Sequence, residues 1–485
     1  MPHRRINPLD YIVDESVLAD SSQLKTENDK IKFLSRIGVT LEEDGSIGIN
    51  TEEVLQYMLS AMCIVSDEDE NLWLYNKKSG VFEPRRKYNL TVTTRFLLSQ
   101  VADYSVWSAS LDKKLIYEMA GHINTVISDF DTGRFLTLKN CAYDTSRFRT
   151  VPFSPKHFNT NSVSYSYDPN AECPHFMNFI KDITCNNSQL ADLLEEIAGY
   201  LFTNHNKAEK AFIVIGPARN GKSTFASVLR KLVGEINVSA TPLKTLGSTF
   251  GLEDLLGKRL LLTTESDVSE AVSVTEWKAL TSGDPVCVNR KGKKQITTTL
   301  NVKMISFMNH LPQFGESGAA IQRRLILIPF TATIPEDKVD PNLDKTLAGE
   351  LSGIFNWAME GLKRLADNNW VFTHVDESDK LLGEFMAQQN PLHEFVEDMI
   401  EPSKSKTFVK CKDLHEAFDT WLYENGRESY KKITGFNNEV VKAIKTKHHS
   451  ITEGKVGGVR GVYGISIKQY EHRQISDIRK YQRRA

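Results

Sequence analysis

Nine consecutive residues, Gly216, Pro217, Ala218, Arg219, Asn220, Gly221, Lys222, Ser223 and Thr224, fit the pattern G-x-x-x-x-G-K-[ST] without a mismatch. That spacing suits a grip on a nucleoside triphosphate. Glycines let successive backbone N–H groups turn inward on phosphate oxygens, and the positive end of a following helix adds to the field. Lys222 is placed to reach the β- and γ-phosphates, and the Ser223 hydroxyl to ligate Mg²⁺. The flanks agree: Ala-Phe-Ile-Val-Ile (211–215) reads as a buried strand, and 225–233 is compatible with a helix. ATP and Mg²⁺ are the cofactors this chemistry expects.

Hydrolysis needs more than a phosphate grip. A carboxylate at the tip of a neighbouring strand must hold the metal or orient water, and the apolar run 259–264 ends directly in Glu265. Asp267 is either a helper or a helix cap. Asn309 ends the next apolar run, 302–308, where a polar side chain can sense the γ-phosphate; taken alone it would be a turn cap. Arg323 and Arg324 precede the strand-like LILIPF. An arginine at a subunit boundary can act on a neighbour's nucleotide, while the plainer reading is a surface salt-bridge pair. Between these motifs lie two β-prone arms around Arg290, Lys291, Gly292, Lys293 and Lys294. A cationic hairpin tip can hold a phosphate backbone without reading bases, or it can simply be a solvated turn.

Short buried strands at 211–215, 259–264, 302–308 and 325–330, spaced by helix or loop, imply an α/β chain with a parallel sheet covered on both faces. At 485 residues, two to four domains are expected. Apolar residues at 40% and charged residues at 25% exclude a disordered or collagen-like chain. No apolar run reaches the eighteen or so residues of a membrane span, and the basic start lacks an apolar segment behind it, so the expectation is cytoplasmic, without membrane partners. The six cysteines are scattered without C-x-x-C spacing, which argues against a zinc site. Charge is uneven: residues 403–485 carry 18 Lys and Arg against 9 Asp and Glu, a net of +9, leaving −11 on the remainder. A basic segment on an acidic body is the footprint of a polyanion binder. The expected divisions are an amino-terminal arm (1–50), a mixed α+β domain with a linker rich in Pro, Ser, Asn and Tyr (51–172), the nucleotide-binding domain (173–370), a helical connector (371–402) and the basic domain (403–485).

In this order the motifs resemble superfamily 3 helicases, AAA+ ring motors of small DNA viruses, phages and plasmids. They are most similar to the phage/plasmid primase-helicase group that includes the poxvirus helicase-primase. The likeness rests on GPARNGKST, LLLTTESD, the segment 278–291, the strand ending in Asn309, the Arg-Arg-(apolar)-Pro-Phe ending of 323–330 and the helix 350–365. Upstream, LWLYNKKSGVF and FLTLKNCAYD are similar to the domain that precedes the motor in such proteins. The resemblance implies a ring-forming homo-oligomer, a hexamer, that translocates on single-stranded DNA and unwinds duplex. It also implies Lys278 and Asp284 in an additional motif and Lys291 as the channel lysine. Gly292 stands where papillomavirus-type proteins have a histidine, which implies a grip that is either looser or shared with Lys293. Asp129 and Asp131 form a D-x-D pair without a third acidic motif, which reads as a turn rather than a primase centre; a separate primase is a candidate partner. The end segment, two helices followed by the Gly-hinged 457–467, resembles a winged helix and implies duplex DNA binding. An origin-binding initiator whose ATPase does little processive unwinding is the alternative, and a small-molecule kinase using the same loop is a more distant one.

Overall fold

A computed structural model describes the chain apart from residues 1–5, 19–23, 85–88, 101–105, 124–125, 128–129, 132–133, 265–271, 313, 315–318, 336–339, 390, 404–406, 426–435, 449–450 and 469–485. Two units are resolved: residues 1–312 with 324–378, and residues 313–323 with 379–485.

In the first unit, helix α1 (Glu27–Arg36) opens with a capping box in which Thr26 and Asp29 satisfy each other's backbone. Asn50 caps α2 (Thr51–Ala61) by accepting from the N–H groups of Glu52 and Glu53. These helices join α3 (Asn89–Leu98) and α4 (Ala109–His122) around Phe33, Leu34, Leu55, Met58, Leu97, Leu115 and Met119. Tyr11, Ile12 and Val39 are buried in the same core. Residues 1–50 are therefore no separate arm: their apolar positions are too few to signal a helix bundle alone, but they complete one with α2–α4. Strands β1 (Ile64–Asp67), β2 (Leu72–Asn76) and β3 (Val81–Pro84) pair antiparallel. The β2–β3 turn is the one the Lys-Lys-Ser-Gly sequence predicts, with Asn76 Oδ1 accepting from the N–H groups of Lys78 and Ser79.

A meander of β4 (Phe135–Thr137), β5 (Ala142–Asp144) and β6 (Arg149–Val151) follows. Its Leu136, Leu138 and Tyr143 are buried in the core of the large sheet domain, not in the helical one. The expected linker packs as well. Tyr165 is buried and its hydroxyl donates to the Leu232 carbonyl at 2.8 Å. Asn159 donates to Thr137 Oγ1 at 2.8 Å. Aromatic residues within a polar stretch make this segment a strap.

The large domain comprises α5 (Pro174–Ile183), α6 (Ser188–Tyr200), β7 (Ala211–Ile215), α7 (Lys222–Val233), β8 (Val238–Ser239), β9 (Leu260–Thr264), α8 (Val274–Ser282), β10 (Pro285–Val288), β11 (Ile296–Thr299), β12 (Lys303–Met308), β13 (Leu325–Pro329) and α9 (Leu351–Asp367). Five strands form one parallel sheet in the order β8–β9–β12–β7–β13. Every residue of β12 and the first four of β7 and β9 are buried, as strands covered on both faces must be. Helix α9 is fastened to α6 by Arg364, whose Nε donates to Glu196 at 2.9 Å and Nη2 to Glu195 at 2.7 Å. Glu196, 1% exposed, also accepts from the Thr373 N–H and hydroxyl, both at 2.7 Å, so the buried charge is fully paired.

The second unit builds its core from Phe395 of α10 (Pro391–Met399), Leu414, Phe418 and Trp421 of α11 (Cys411–Glu424), Val440 and Ile444 of α12 (Phe436–Lys447), and Val462. Strands β14 (Ile400–Pro402) and β15 (Phe408–Lys410) precede α11; β16 (Thr452–Val456), β17 (Val459–Tyr463) and β18 (Ile465–Ile467) follow α12. A three-stranded antiparallel sheet runs β15–β17–β16, and β14 pairs with β18. The second half of the expected connector, α10, thus belongs to this core. The helix–helix–hairpin order expected from the sequence is present, with the β16–β17 turn at Gly457 and Gly458, both at positive φ.

Candidate functional site

The chain leaves β7 at Ile215, which pairs with Met308 of β12 on one side and Pro329 of β13 on the other. Gly216 thereby emerges between Asn309 and Phe330 at the carboxyl end of the sheet, where open α/β sheets take their ligands. Gly216 is required by space: a Cβ there would lie 2.1 Å from the Phe330 carbonyl oxygen. Gly221 is required by conformation, with φ at +85° as the chain turns into α7. The Arg219 carbonyl accepts from the Ile334 N–H at 3.0 Å, and the buried Asn220 donates to the Phe330 carbonyl at 2.7 Å. The loop is thus sewn to the segment leaving β13.

Lys222 is the first residue of α7 and is buried. Its Nζ donates to the carbonyls of Gly216 (2.7 Å) and Pro217 (2.6 Å) and to Asn220 Oδ1 (3.0 Å). A desolvated ammonium gathered on the loop's own acceptors fits the charge of a phosphate chain. Pro217, Ala218, Arg219 and Ser223 are exposed and Thr224 is half-buried; Ser223 lies in the first turn of α7. Asn309 is exposed at the tip of the adjacent strand, one step from the loop in register. Glu265 and Asp267 lie outside the described residues; β9, which leads to them, is present and borders β12.

The two arginines separate. Arg323 is exposed. Arg324 is buried, with Nε and Nη2 donating to Ser282 Oγ at 3.1 and 2.8 Å and Nη2 lying 3.7 Å from Glu209.

The β-prone arms form the expected hairpin, with β10 and β11 antiparallel and Val288 opposite Ile296. The tip closes through Arg290 Nε, which donates to the Lys294 carbonyl at 2.9 Å, and through Gly292 at φ +73°. Lys291, Lys293 and Lys294 are exposed. The Arg290 guanidinium forms a two-pronged bond to Asp69, one prong at 3.1 Å, and Lys293 reaches the same carboxylate at 3.1 Å. These bonds, Arg290 first, hold the Asp69 carboxyl below the usual carboxylate range.

Asp131 of the D-x-D pair accepts from the Thr160 N–H at 2.9 Å and from the Asn161 side chain at 3.3 Å, the role of a turn brace; Asp129 lies outside the described residues. Sequence reasoning did not single out a groove of about 430 Å³ in the second unit, lined by Asn438, Lys442, Lys445, Glu453 and Arg460. Lys442 and Lys445 are three apart on α12, a helical spacing that could have flagged them. Asp69 carried no signal, standing over two hundred residues from its partners.

One family match runs from just before β2 through α5. Residues 69–185 match the D5 N terminal like family. This covers LWLYNKKSGVF and FLTLKNCAYD, the segments whose resemblance was noted above. Residues 214–324, from the loop-bearing strand to Arg324, match a family of unknown function, DUF5906. A curated relative, the uncharacterized mitochondrial protein ymf21 of Marchantia polymorpha, is 26% identical over 128 residues, 24% of this chain and 71% of the relative. The apo structure of the NrS-1 C-terminal region (305-718) superposes with a TM-score of 0.50 at 14% identity, covering 83% of this chain and 95% of that one. At that identity the likeness is one of fold. No described helix is long and apolar enough to cross a membrane.

Proposed function

We propose that the protein is an ATP-dependent replicative DNA helicase of the primase-helicase kind found in phages, plasmids and mobile elements, acting in the host cytoplasm as a ring-forming hexamer on single-stranded DNA. The observation that carries this reading is the loop 216–221 at the carboxyl end of the parallel sheet, with Lys222 desolvated behind it and Asn309 on the neighbouring strand tip. Bound there, Mg-ATP supplies the phosphoanhydride whose hydrolysis powers movement. Residues 216–224 hold it, with Ser223 and Glu265 serving the metal.

In this reading Lys222 exchanges its three loop acceptors for phosphate oxygens. Because its ammonium is already out of water, that exchange needs little reorganisation. Asn220 keeps the loop tied to Phe330 meanwhile. Glu265 polarises the attacking water, and Asn309 orients it from the adjacent strand. Arg323, the exposed member of the pair, is the one donated to the neighbouring subunit, while Arg324 braces Ser282 and Glu209. The hairpin presents Arg290, Lys291, Lys293 and Lys294 to the strand's phosphates.

A second reading, an origin-binding initiator with little unwinding, is favoured by the groove of Lys442, Lys445 and Arg460 beside a Gly-Gly wing, a surface suited to duplex phosphates. Strand displacement on forked DNA separates the two. The helicase displaces a strand with ATP and the Lys222→Ala protein does not. ATP hydrolysis with site-specific duplex binding but no displacement selects the initiator, and full ATPase activity in Lys222→Ala refutes both.

A further inference from the structure

Two of the hairpin cations, Arg290 and Lys293, are already engaged. Asp69 stands in the β1–β2 turn, its own N–H bonded to Asp67 Oδ1 at 2.9 Å. From there its carboxylate receives the Arg290 guanidinium and the Lys293 ammonium, leaving the Arg290 side chain 11% exposed. The hairpin's own folding does not call for this partner, since β10 and β11 pair in register and the tip closes on Lys294 and Gly292. A carboxylate bridging a guanidinium and an ammonium offers the same charge sign and paired oxygens as a backbone phosphate. Glu253 also touches the tip, but it does so by accepting from the Lys291 backbone N–H at 3.0 Å.

We propose that Asp69 is an internal stand-in for a DNA phosphate, a latch that occupies Arg290 and Lys293 until a strand displaces it. The inference rests on the reading of 290–294 as the strand-gripping hairpin. It makes the amino-terminal domain a brake on DNA engagement: binding selects the unlatched population, so apparent affinity is scaled down by the latched fraction.

The test is fluorescence anisotropy of labelled oligo-dT with the full chain. Releasing partly exposed pairs of this kind raises affinity about three- to tenfold in Asp69→Asn, and the gain shrinks at high salt. Asp69→Glu, which keeps the carboxylate, stays near wild type. Glu68→Gln removes an exposed charge from the same turn without touching the hairpin, and leaves binding unchanged. Arg290→Ala/Lys293→Ala weakens binding, and adding Asp69→Asn to that pair brings no further gain, because the coupled residues are already gone. Unchanged affinity in Asp69→Asn, or an equal gain in Glu68→Gln, overturns the latch while the hairpin reading stands. Undiminished binding in Arg290→Ala/Lys293→Ala overturns the hairpin reading and the latch with it.

Discussion

Arg323 and Arg324 are adjacent, yet the first is exposed and the second buried. Truncating Arg324 to Ala removes a charged donor from Ser282, about 1.5 kcal/mol, and a half-exposed pairing with Glu209, about 0.5 kcal/mol. It also loses two buried methylenes, Cγ and Cδ, at about 0.8 kcal/mol each. The cost of ordering the arginine side chain, which alanine does not pay, offsets about 2 kcal/mol, leaving a net loss of about 1–2 kcal/mol. Arg323, exposed, costs under about 0.5 kcal/mol on the same change. On the proposed reading its loss falls instead on turnover, where an arginine acting across a subunit boundary is worth about 10³ or more in kcat. Urea denaturation and steady-state ATP hydrolysis, measured above the assembly concentration, read the two quantities separately. Arg324→Ala is expected to be less stable but active in its folded fraction, and Arg323→Ala stable and nearly inactive. Mixing Arg323→Ala with Lys222→Ala subunits restores some hydrolysis, because some interfaces then pair an intact loop with an intact arginine. Wild-type turnover in Arg323→Ala, or a fully stable but inactive Arg324→Ala, refutes the division.

Gly216→Ala forces a Cβ to within 2.1 Å of the Phe330 oxygen, so ATP binding by a fluorescent analogue is expected to fall more than tenfold while the circular dichroism spectrum is retained. Lys303 is buried among carbonyls, 3.1 Å from that of Thr203, and burial, reinforced by Arg259, pushes its pKa down to about 7. The unfolded chain then holds one more proton between about pH 7 and 10.5, so stability rises with pH across that window, by at most about 1.4 kcal/mol per unit. Denaturation midpoints against pH should show this slope in the wild type and lose it in Lys303→Met. Lys442→Ala/Lys445→Ala is expected to weaken duplex binding and to lower its salt dependence by about two ion releases, measured by anisotropy at several salt concentrations.

The sheet was legible because its strands are buried on both faces and so read as unbroken apolar runs followed by marked residues in the sequence: Gly216, Glu265 and Asn309. The hairpin was legible from β-prone arms around a glycine. Strand order was not, since pairing of β7 with β12 and β13 is decided by crossovers that leave no local pattern. The amino-terminal segment misled because Tyr11, Phe33 and Ile37 are spread thinly among charges and find their core only with α2–α4. The 150–172 segment misled because polar composition hides the buried Asn159 and Tyr165 that fix it. Burial also separates Arg324 from Arg323, a difference that depends on the distant Ser282 and Glu209 and on nothing in their shared neighbourhood.

The strap through Tyr165 bears on how this protein can be cut down. A truncation beginning at residue 173 would remove Leu136, Leu138, Tyr143 and Tyr165 from the packing behind the sheet and leave the Leu232 carbonyl, near the far end of the helix that starts with Lys222, without its hydroxyl donor. A free-standing fragment carrying the large sheet would have to begin upstream of the meander, near residue 134, to keep its own interior filled.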